Sequence, residues 1–481
     1  MIGGATRSPA ARALRWLAVA GVVALAAHAG RTLLREPCLG VADNRDWWRV
    51  ARPAGIEVAP DLPKGFYVVC RHPAGEADPL GGLSSAGLVA WGVRAAADGP
   101  GGSVDLRWIG LVYWLATAAL LTAGLLAGLD ALLVLATAWV LYDPGFLLFF
   151  NSLYADPALI VALAAALILL LADPLRRSDD PRRGSRDAWA AAVLGGFSKM
   201  QYSTFPAVLL ACCALAMAAA RSRPRRRHGI LLAALLAAAA LAPVHFLHGP
   251  APRFLDANNF NAVFGGIVRV ATDPAAAVRA LGMPEEEAAR QPRDYFAARR
   301  RGVLAPVLPA LRSLSRVRLA ALYLGDPGAI ARTAAEIHAQ LGKVRTHPRG
   351  NYTREESGRG PRFHRSPEQF SLWRTRLLGA VPAWSHLLLA ATALLLAWRA
   401  ARRRWSALDA ASLLLVLWSA SQFAVAVLGE GLVNLHQHLL GARLAIDLLV
   451  ALTAVRLIRS AARALVRHPG AGPAGSVPAP R

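Results

Sequence analysis

Four short polar stretches hold residue types that can do acid–base or anion chemistry, and each lies beside a long apolar run. The first is Gly40-Val41-Ala42-Asp43-Asn44-Arg45-Asp46-Trp47-Trp48-Arg49-Val50. A carboxylate held near a membrane surface can act as a general base. The same residues also fit an interfacial belt, where tryptophan sits at headgroup level and Arg–Asp pairs are common. The second stretch is Tyr142-Asp143-Pro144-Gly145, followed by Asn151-Ser152-Leu153-Tyr154-Ala155-Asp156-Pro157. Pro157 suits a helix start and Asp156 its N-terminal acid. That capping role leaves Asp143, Asn151 and Tyr154 unexplained.

The third stretch is Ser198-Lys199-Met200-Gln201-Tyr202-Ser203, which interrupts residues 188–220. Lysine in so apolar a setting is costly. It either snorkels to headgroups or grips the phosphate of a lipid-linked substrate. The fourth runs from Gly429-Glu430-Gly431 through Asn434, His436, Gln437 and His438 to Arg443 and Asp447. Asp447 falls about three turns into an apolar helix and needs a partner inside the bundle. His436 and His438 are two apart and would face different ways on a helix, so no metal site is indicated, although a divalent ion is compatible with the acids present.

These stretches must be positioned by membrane helices. Hydrophobic residues make up 55% of the 481 and charged ones only 17%, with a net charge of +24. Such a chain is too apolar for disorder, and its four cysteines are too few for a disulfide scaffold. The arginines cluster between apolar runs rather than on one polar face, which excludes a nucleic-acid binder. A membrane crossing takes roughly 20 apolar residues. Candidates are 13–29, 107–127, 131–150, 157–172, 229–247, 378–398, 408–428 and 437–457.

Orientation decides the reading of 188–220. Short arginine-rich loops stay cytoplasmic. The sequence has four: Arg176 to Arg186, Arg221 to Arg227, Arg399 to Arg404, and the tail from Arg456. The first two flank 188–220, so that stretch crosses an even number of times. It reads as a hairpin with Lys199 at an outward tip. A single span would put Lys199 near mid-bilayer at about 2.5–3.5 kcal/mol. The expected fold is therefore an all-α membrane protein with about ten transmembrane helices and both termini cytoplasmic. It divides into an N-terminal membrane region 1–248, a long extracytoplasmic insert 249–377 and a C-terminal membrane region 378–481. Nearly all polar motifs then share the outer face. Cys38 and Cys70 lie in one outer loop and could pair in an oxidising compartment.

Taken in order, the motifs resemble the bacterial glycan-biosynthesis hexose transferases of the WsfD type, polytopic glycosyltransferases of the GT-C class. The resemblance rests on Asp43-Asn44-Arg45-Asp46-Trp47, Phe150-Asn151-Ser152-Leu153-Tyr154 and Ser198-Lys199-Met200-Gln201. It continues through Asn261 to Ile267, Leu281-Gly282-Met283-Pro284, Gly350-Asn351-Tyr352, Phe370-Ser371-Leu372-Trp373, Gly429-Glu430-Gly431 and Gln437-His438. Arg45 stands where that family has glycine, Glu430 where it has aspartate, Asn434 where it has an acid and Gln437 where it has lysine.

The resemblance implies transfer of a hexose from a polyprenyl-phosphate-linked donor to a glycan or lipid acceptor at the outer leaflet of a bacterial plasma membrane. Asp46 would be the base, with Asp43 as second choice, and Lys199 would hold the donor phosphate. Asp143, Asn151, Tyr154, Asp156, Gln201, Glu430, Asn434 and His438 would contact substrate. No cofactor and no nucleic-acid partner are implied. A transporter or flippase of lipid-linked glycans, or a non-enzymatic subunit of an envelope-assembly complex, are the alternatives. A transporter would show repeated spans and polar residues at mid-membrane.

Overall fold

The computed structural model describes residues 9–43, 46–58, 66–78, 84–97, 102–172, 190–219, 226–247, 252–344, 349–358, 361–365, 369–402 and 404–467. Asn44, Arg45, and the arginine clusters within 173–189 and 220–225 lie outside them. The chain is mostly helical, and its described strands form one small sheet.

Acidic and hydroxyl caps start the helices where the apolar runs begin. Asp105 accepts from Arg107 N at 2.9 Å ahead of helix Leu106–Leu126. Asp130 does the same for Ala131–Leu141 through Leu133 N at 3.1 Å. Ser406 and Asp409 form a reciprocal capping box on Ala407–Glu430. Among the described residues five helices are long and apolar enough to cross a membrane: Arg12–Leu34, Leu106–Leu126, Met200–Ala218, Trp384–Ala401 and Ala407–Glu430. Ala131–Leu141 and Pro144–Asn151 add a sixth if a pair bent by 56° counts as one span. Pro144 at the second helix's start explains the bend, since the Asp143 carboxylate caps a new helix there.

The other expected crossings differ for identifiable reasons. Asp156–Ala172 has 17 residues, a rise of about 25 Å against a hydrocarbon core of about 30 Å. Leu232–His245 is likewise apolar but short. Leu440–Arg467 is 28 residues long but carries Arg443, Asp447 and Arg456 within it. Residues 190–196 are helical, and the chain then breaks at 197–199 before the turn Met200–Tyr202 and helix Phe205–Ala219.

The core is built around Asp156–Ala172, which is buried around almost its whole circumference. A helix apolar on every face belongs in the middle of a bundle. It packs against Leu106–Leu126, Ala407–Glu430 and Leu440–Arg467. At the opposite end from the polar motifs, the arginines do more than flank spans. Arg399 and Arg456 each lie 2.8 Å from the fully buried Asp409 carboxylate, so three helices meet on one acid.

Over the bundle, strands Arg71–Pro73 and Ser103–Asp105 pair antiparallel, with Arg71 opposite Asp105. A Cys38–Cys70 disulfide ties this loop to the end of the first helix. Trp47 is fully buried, edge-on to His72 and Tyr154 at 5.4 and 6.1 Å. It is a core residue of the loop, whereas Trp48 is partly exposed. The segment that follows Pro252–Phe260 is a π-helical turn, Asn261–Ile267, wholly buried against Ala407–Glu430. Its chain later returns along the first loop. Gly40 N donates to Asn351 O at 3.2 Å, Ala42 N to Gly350 O at 3.0 Å and Val68 N to Tyr352 O at 3.0 Å.

The disulfide closes 32 residues of sequence, which in the chain-entropy account is worth about 3–4 kcal/mol. Cys38→Ser or reduction should lower the thermal unfolding midpoint of the purified protein by several degrees. Cys212→Ser, far from any disulfide partner, should not respond to reductant differently from wild type.

Candidate functional site

Three segments distant in sequence meet at one polar cluster. Helix Trp48–Ala54 of the first loop brings Arg49, which pairs with Asp46 at 3.5 Å. The break at 197–199 brings Lys199 and Gln201. The C-terminal end of Ala407–Glu430, with the short helix Leu435–His438, brings Glu430 and His438. Glu430 Oε2 lies 2.8 Å from His438 Nε2. Arg49 and Lys199 both stand within electrostatic reach of the Glu430 carboxylate. Glu430 is thus the common neighbour of all three segments.

Each member is held from behind. Lys199 Nζ lies 3.9 Å from Asp156 Oδ1 and 5.6 Å from the centre of the Tyr202 ring. Tyr202 donates to the same Asp156 oxygen. Asp156 is itself fully buried at the head of the central helix. His438 Nδ1 lies 3.2 Å from Gln201 Oε1, and Gln201 reaches Gln422 at 3.4 Å. Gln422 is a fully buried amide in a helix long and apolar enough to cross a membrane, the kind of intramembrane polar residue that signals a site. An amide there is legible in the sequence, whereas the sequence reading assigned a role to neither Gln422 nor Arg49.

The Glu430 turn has a strict backbone requirement. Gly431 adopts φ 66°, and a Cβ there would stand 2.5 Å from Asn261 O and 2.7 Å from Gly266 Cα. Leu432 N donates to Gly265 O at 3.2 Å. The π-helical turn is therefore the seat on which the Glu430 turn rests, and π-turns are frequent at functional sites.

The remaining candidates fall around this cluster rather than in it. Asp43 Oδ1 accepts from Trp47 N at 3.2 Å and so shapes the turn that carries Asp46. Tyr154 OH donates to Ala42 O at 3.0 Å, from beneath the same turn. Asn151 Nδ2 donates to Leu33 O and Leu39 O at 2.7 and 2.8 Å, holding the end of the first helix. Asn434 takes a left-handed conformation at φ 50° and starts helix Leu435–His438. Asp143 is buried, accepting from Ser371 N at 2.8 Å and Gly145 N at 2.7 Å.

Asp143 borders a second charged group. Arg374 and Asp447 form an ion pair with both side chains fully buried. Arg443 lies within electrostatic reach of Arg374, Asp447 and Asp143. Arg374 also sits 5.4 Å over Trp384. The partner that Asp447 needed comes from the far end of the 249–377 stretch, 73 residues away. Between the two clusters stands His436. Burial, then Arg349, His438 and Lys343 nearby, push its imidazole down to about 4.

A bundle with five helices long and apolar enough to cross a membrane, its buried charges set largely in pairs, is that of a polytopic membrane protein. Residues 88–469 match the family described as the YfdI N-terminal transmembrane domain. That is well over half of the chain, and the chain belongs to this family. No curated protein and no solved structure matches it.

Gly431→Ala should misplace Glu430, because a strained φ at a non-glycine residue costs about 1–3 kcal/mol before the clash is counted. The expected outcome is a protein still inserted in membranes but with a clearly lowered unfolding midpoint. Gly429→Ala, where a Cβ meets nothing within 4 Å, should unfold like wild type.

Proposed function

We propose that this chain is an integral membrane glycosyltransferase that moves a hexose from a polyprenyl-phosphate donor to a glycan or lipid acceptor at the outer leaflet. The observation that carries the reading is the meeting of Asp46–Arg49, Lys199 and Glu430–His438 at one end of the bundle. A half-exposed carboxylate paired with Arg49, with Lys199 near the same Glu430, suits a reaction that removes a proton from a hydroxyl and expels a phosphate. The ordered likeness to WsfD-type hexose transferases supports the same class.

In this reading Asp46 takes the proton of the acceptor hydroxyl. The hydroxyl oxygen then attacks the anomeric carbon, and the bond from that carbon to the phosphate oxygen breaks. Polyprenyl phosphate leaves with the bonding pair. Negative charge grows on the departing phosphate, so a fixed cation beside it lowers the barrier. Lys199 is that cation, and Asp156 and Tyr202 hold it in place. Arg49, also within electrostatic reach of Glu430, is a second donor to the phosphate. Asp43, committed to the Trp47 amide, is the weaker base.

The topology that accompanies this reading has ten crossings and both termini in the cytoplasm of a bacterial plasma membrane. In that topology the shorter apolar helices Asp156–Ala172 and Leu232–His245 are further crossings, and 188–220 crosses twice. The Cys38–Cys70 disulfide favours an oxidising, external compartment for the first loop. The 249–377 stretch then lies outside as well.

Membranes containing wild-type protein, supplied with polyprenyl-phosphate hexose, should form a glycosidic product. Asp46→Asn should lower the rate by about 10²–10⁴-fold, the usual contribution of a general base. Lys199→Ala should lower it by about 10²–10³-fold. If both variants, at equal membrane abundance, transfer at the wild-type rate, the site assignment fails.

A further inference from the structure

Residues 293–324 carry seven arginines and one acid, Asp294. That acid is engaged locally, capping helix Tyr295–Arg300 through Ala297 N at 2.9 Å. Two of the arginines are used within the fold. Arg312 pairs with Asp256 at 3.3 Å, and Arg316 donates to Asn259. Arg299, Arg300, Arg301 and Arg318 are exposed, so the surface of this segment is strongly basic.

Its neighbours set its depth. Helix Pro252–Phe260 and the π-helical turn both pack on Ala407–Glu430, a helix long and apolar enough to cross a membrane. Helices Tyr295–Arg300 and Leu308–Arg312 pack on Pro252–Phe260, and Asn259 Nδ2 donates to Leu311 O at 2.7 Å. Helix Arg316–Leu324 reaches the end of the crossing helix itself. A Cβ at Gly266 would stand 2.9 Å from the Tyr323 hydroxyl and 3.0 Å from Gly431 Cα, and Gly431 is the residue that ends Ala407–Glu430. The basic segment therefore lies level with the polar end of a membrane helix.

Helix Arg316–Leu324 is apolar on two faces. Leu319 and Tyr323, four apart, are buried against the fold. Val317, Ala321 and Leu324 fall at i, i+4 and i+7 and so line up on the other side. Val317 is 80% and Leu324 75% exposed, and Ala321 is exposed between them. Arg318 flanks this stripe. An apolar stripe with arginine at its margin, beside the end of a crossing helix, has the make-up of a helix lying in the membrane interface. There the arginine stem follows the apolar surface and its guanidinium stays at the headgroups.

We propose that helix Arg316–Leu324 is a membrane-docking surface for an anionic leaflet. Val317, Ala321 and Leu324 enter the acyl boundary, and Arg318 with Arg299, Arg300 and Arg301 binds lipid phosphates. Charge complementarity selects this occupant. A second copy would bring the same basic surface against itself, whereas a leaflet of anionic lipid attracts each arginine. This docking is independent of the transfer reaction. It holds Tyr323, and through Gly266 the Glu430 turn, at headgroup depth.

The test uses full-length protein with Cys212 and Cys213 changed to serine and the Cys38–Cys70 disulfide intact. Single cysteines replace Val317, Leu324 or, as an aqueous reference, the exposed Glu286. Each carries a nitroxide label, in nanodiscs holding one protein apiece. Labels at 317 and 324 should be relaxed by oxygen, which dissolves in lipid, and shielded from a water-soluble nickel chelate. The label at 286 should show the reverse. Relaxation by the chelate at 317 and 324 overturns the proposal, because the stripe then faces water. Shielding from both reagents overturns it too, because protein then covers the stripe.

The charge is tested by lipid composition. Adding phosphatidylglycerol to phosphatidylcholine discs should raise the oxygen-to-chelate ratio at 324 several-fold. The variant R299Q/R300Q/R301Q/R318Q should lose that increase. A ratio that ignores phosphatidylglycerol, or responds equally in the variant, overturns the assignment of the arginines to anionic headgroups.

Discussion

A charge carried into an apolar bundle has to bring its counter-charge with it, because an unpaired ion in a low-dielectric interior costs several kcal/mol. This chain obeys that constraint at three depths. At one end, Asp409 is shared by Arg399 and Arg456. Within the bundle, Asp447 meets Arg374 with both side chains fully buried. At the polar end, Lys199 leans on Asp156 and Glu430 on His438. Pairs of this kind add little net stability compared with apolar packing. What they do is dictate which helices can be neighbours and in what register, since a slip of one turn would strand a charge.

The same pairs join segments that are far apart in the chain. Arg374 and Lys199 each reach an acid on another helix, and Arg49 reaches toward Glu430 from the first loop. Backbone contacts reinforce the junction. Gly350 and Asn351 hydrogen-bond along residues 40–42, and the π-helical turn seats Gly431. The stretch 249–377 therefore closes over the first loop and supports the Glu430 turn at the same time. A polar cluster braced from so many directions is held in a fixed geometry, which under the proposed function is the condition in which fixed charges contribute most to a barrier.

Much of this was legible in the sequence and some was not. Lysine is so rare in this chain that Lys199, in an apolar stretch, announced itself. Asp447 announced its need for a partner, but nothing in a one-dimensional pattern says that the partner is Arg374 rather than any other arginine of a chain rich in them. Apolar runs marked the helices well where caps such as Asp105, Asp130 and Ser406 stood at their heads. At 131–150 they did not show the break, where Asp143–Pro144 starts a new helix and bends the run by 56°. Trp47 read as an interfacial aromatic, yet packing against His72 and Tyr154 buries it. Its position depends on contacts from residues distant in sequence, which no local pattern records. The π-helical turn was invisible for the same reason: its geometry is set by the Gly431 backbone pressed against it.

The central claim is that the first loop and the turn after helix Ala407–Glu430 form one site. The most direct measurement is cross-linking in native membranes. Cysteines replace Arg49 and Glu430 in a protein with Cys212 and Cys213 changed to serine, and a short bifunctional thiol reagent is added. The account predicts an efficient intramolecular cross-link between positions 49 and 430, and none when the second cysteine is placed at Leu457 on the exposed side of the last helix. Failure of the 49–430 pair to cross-link, in protein whose Cys38–Cys70 disulfide is intact, would contradict it.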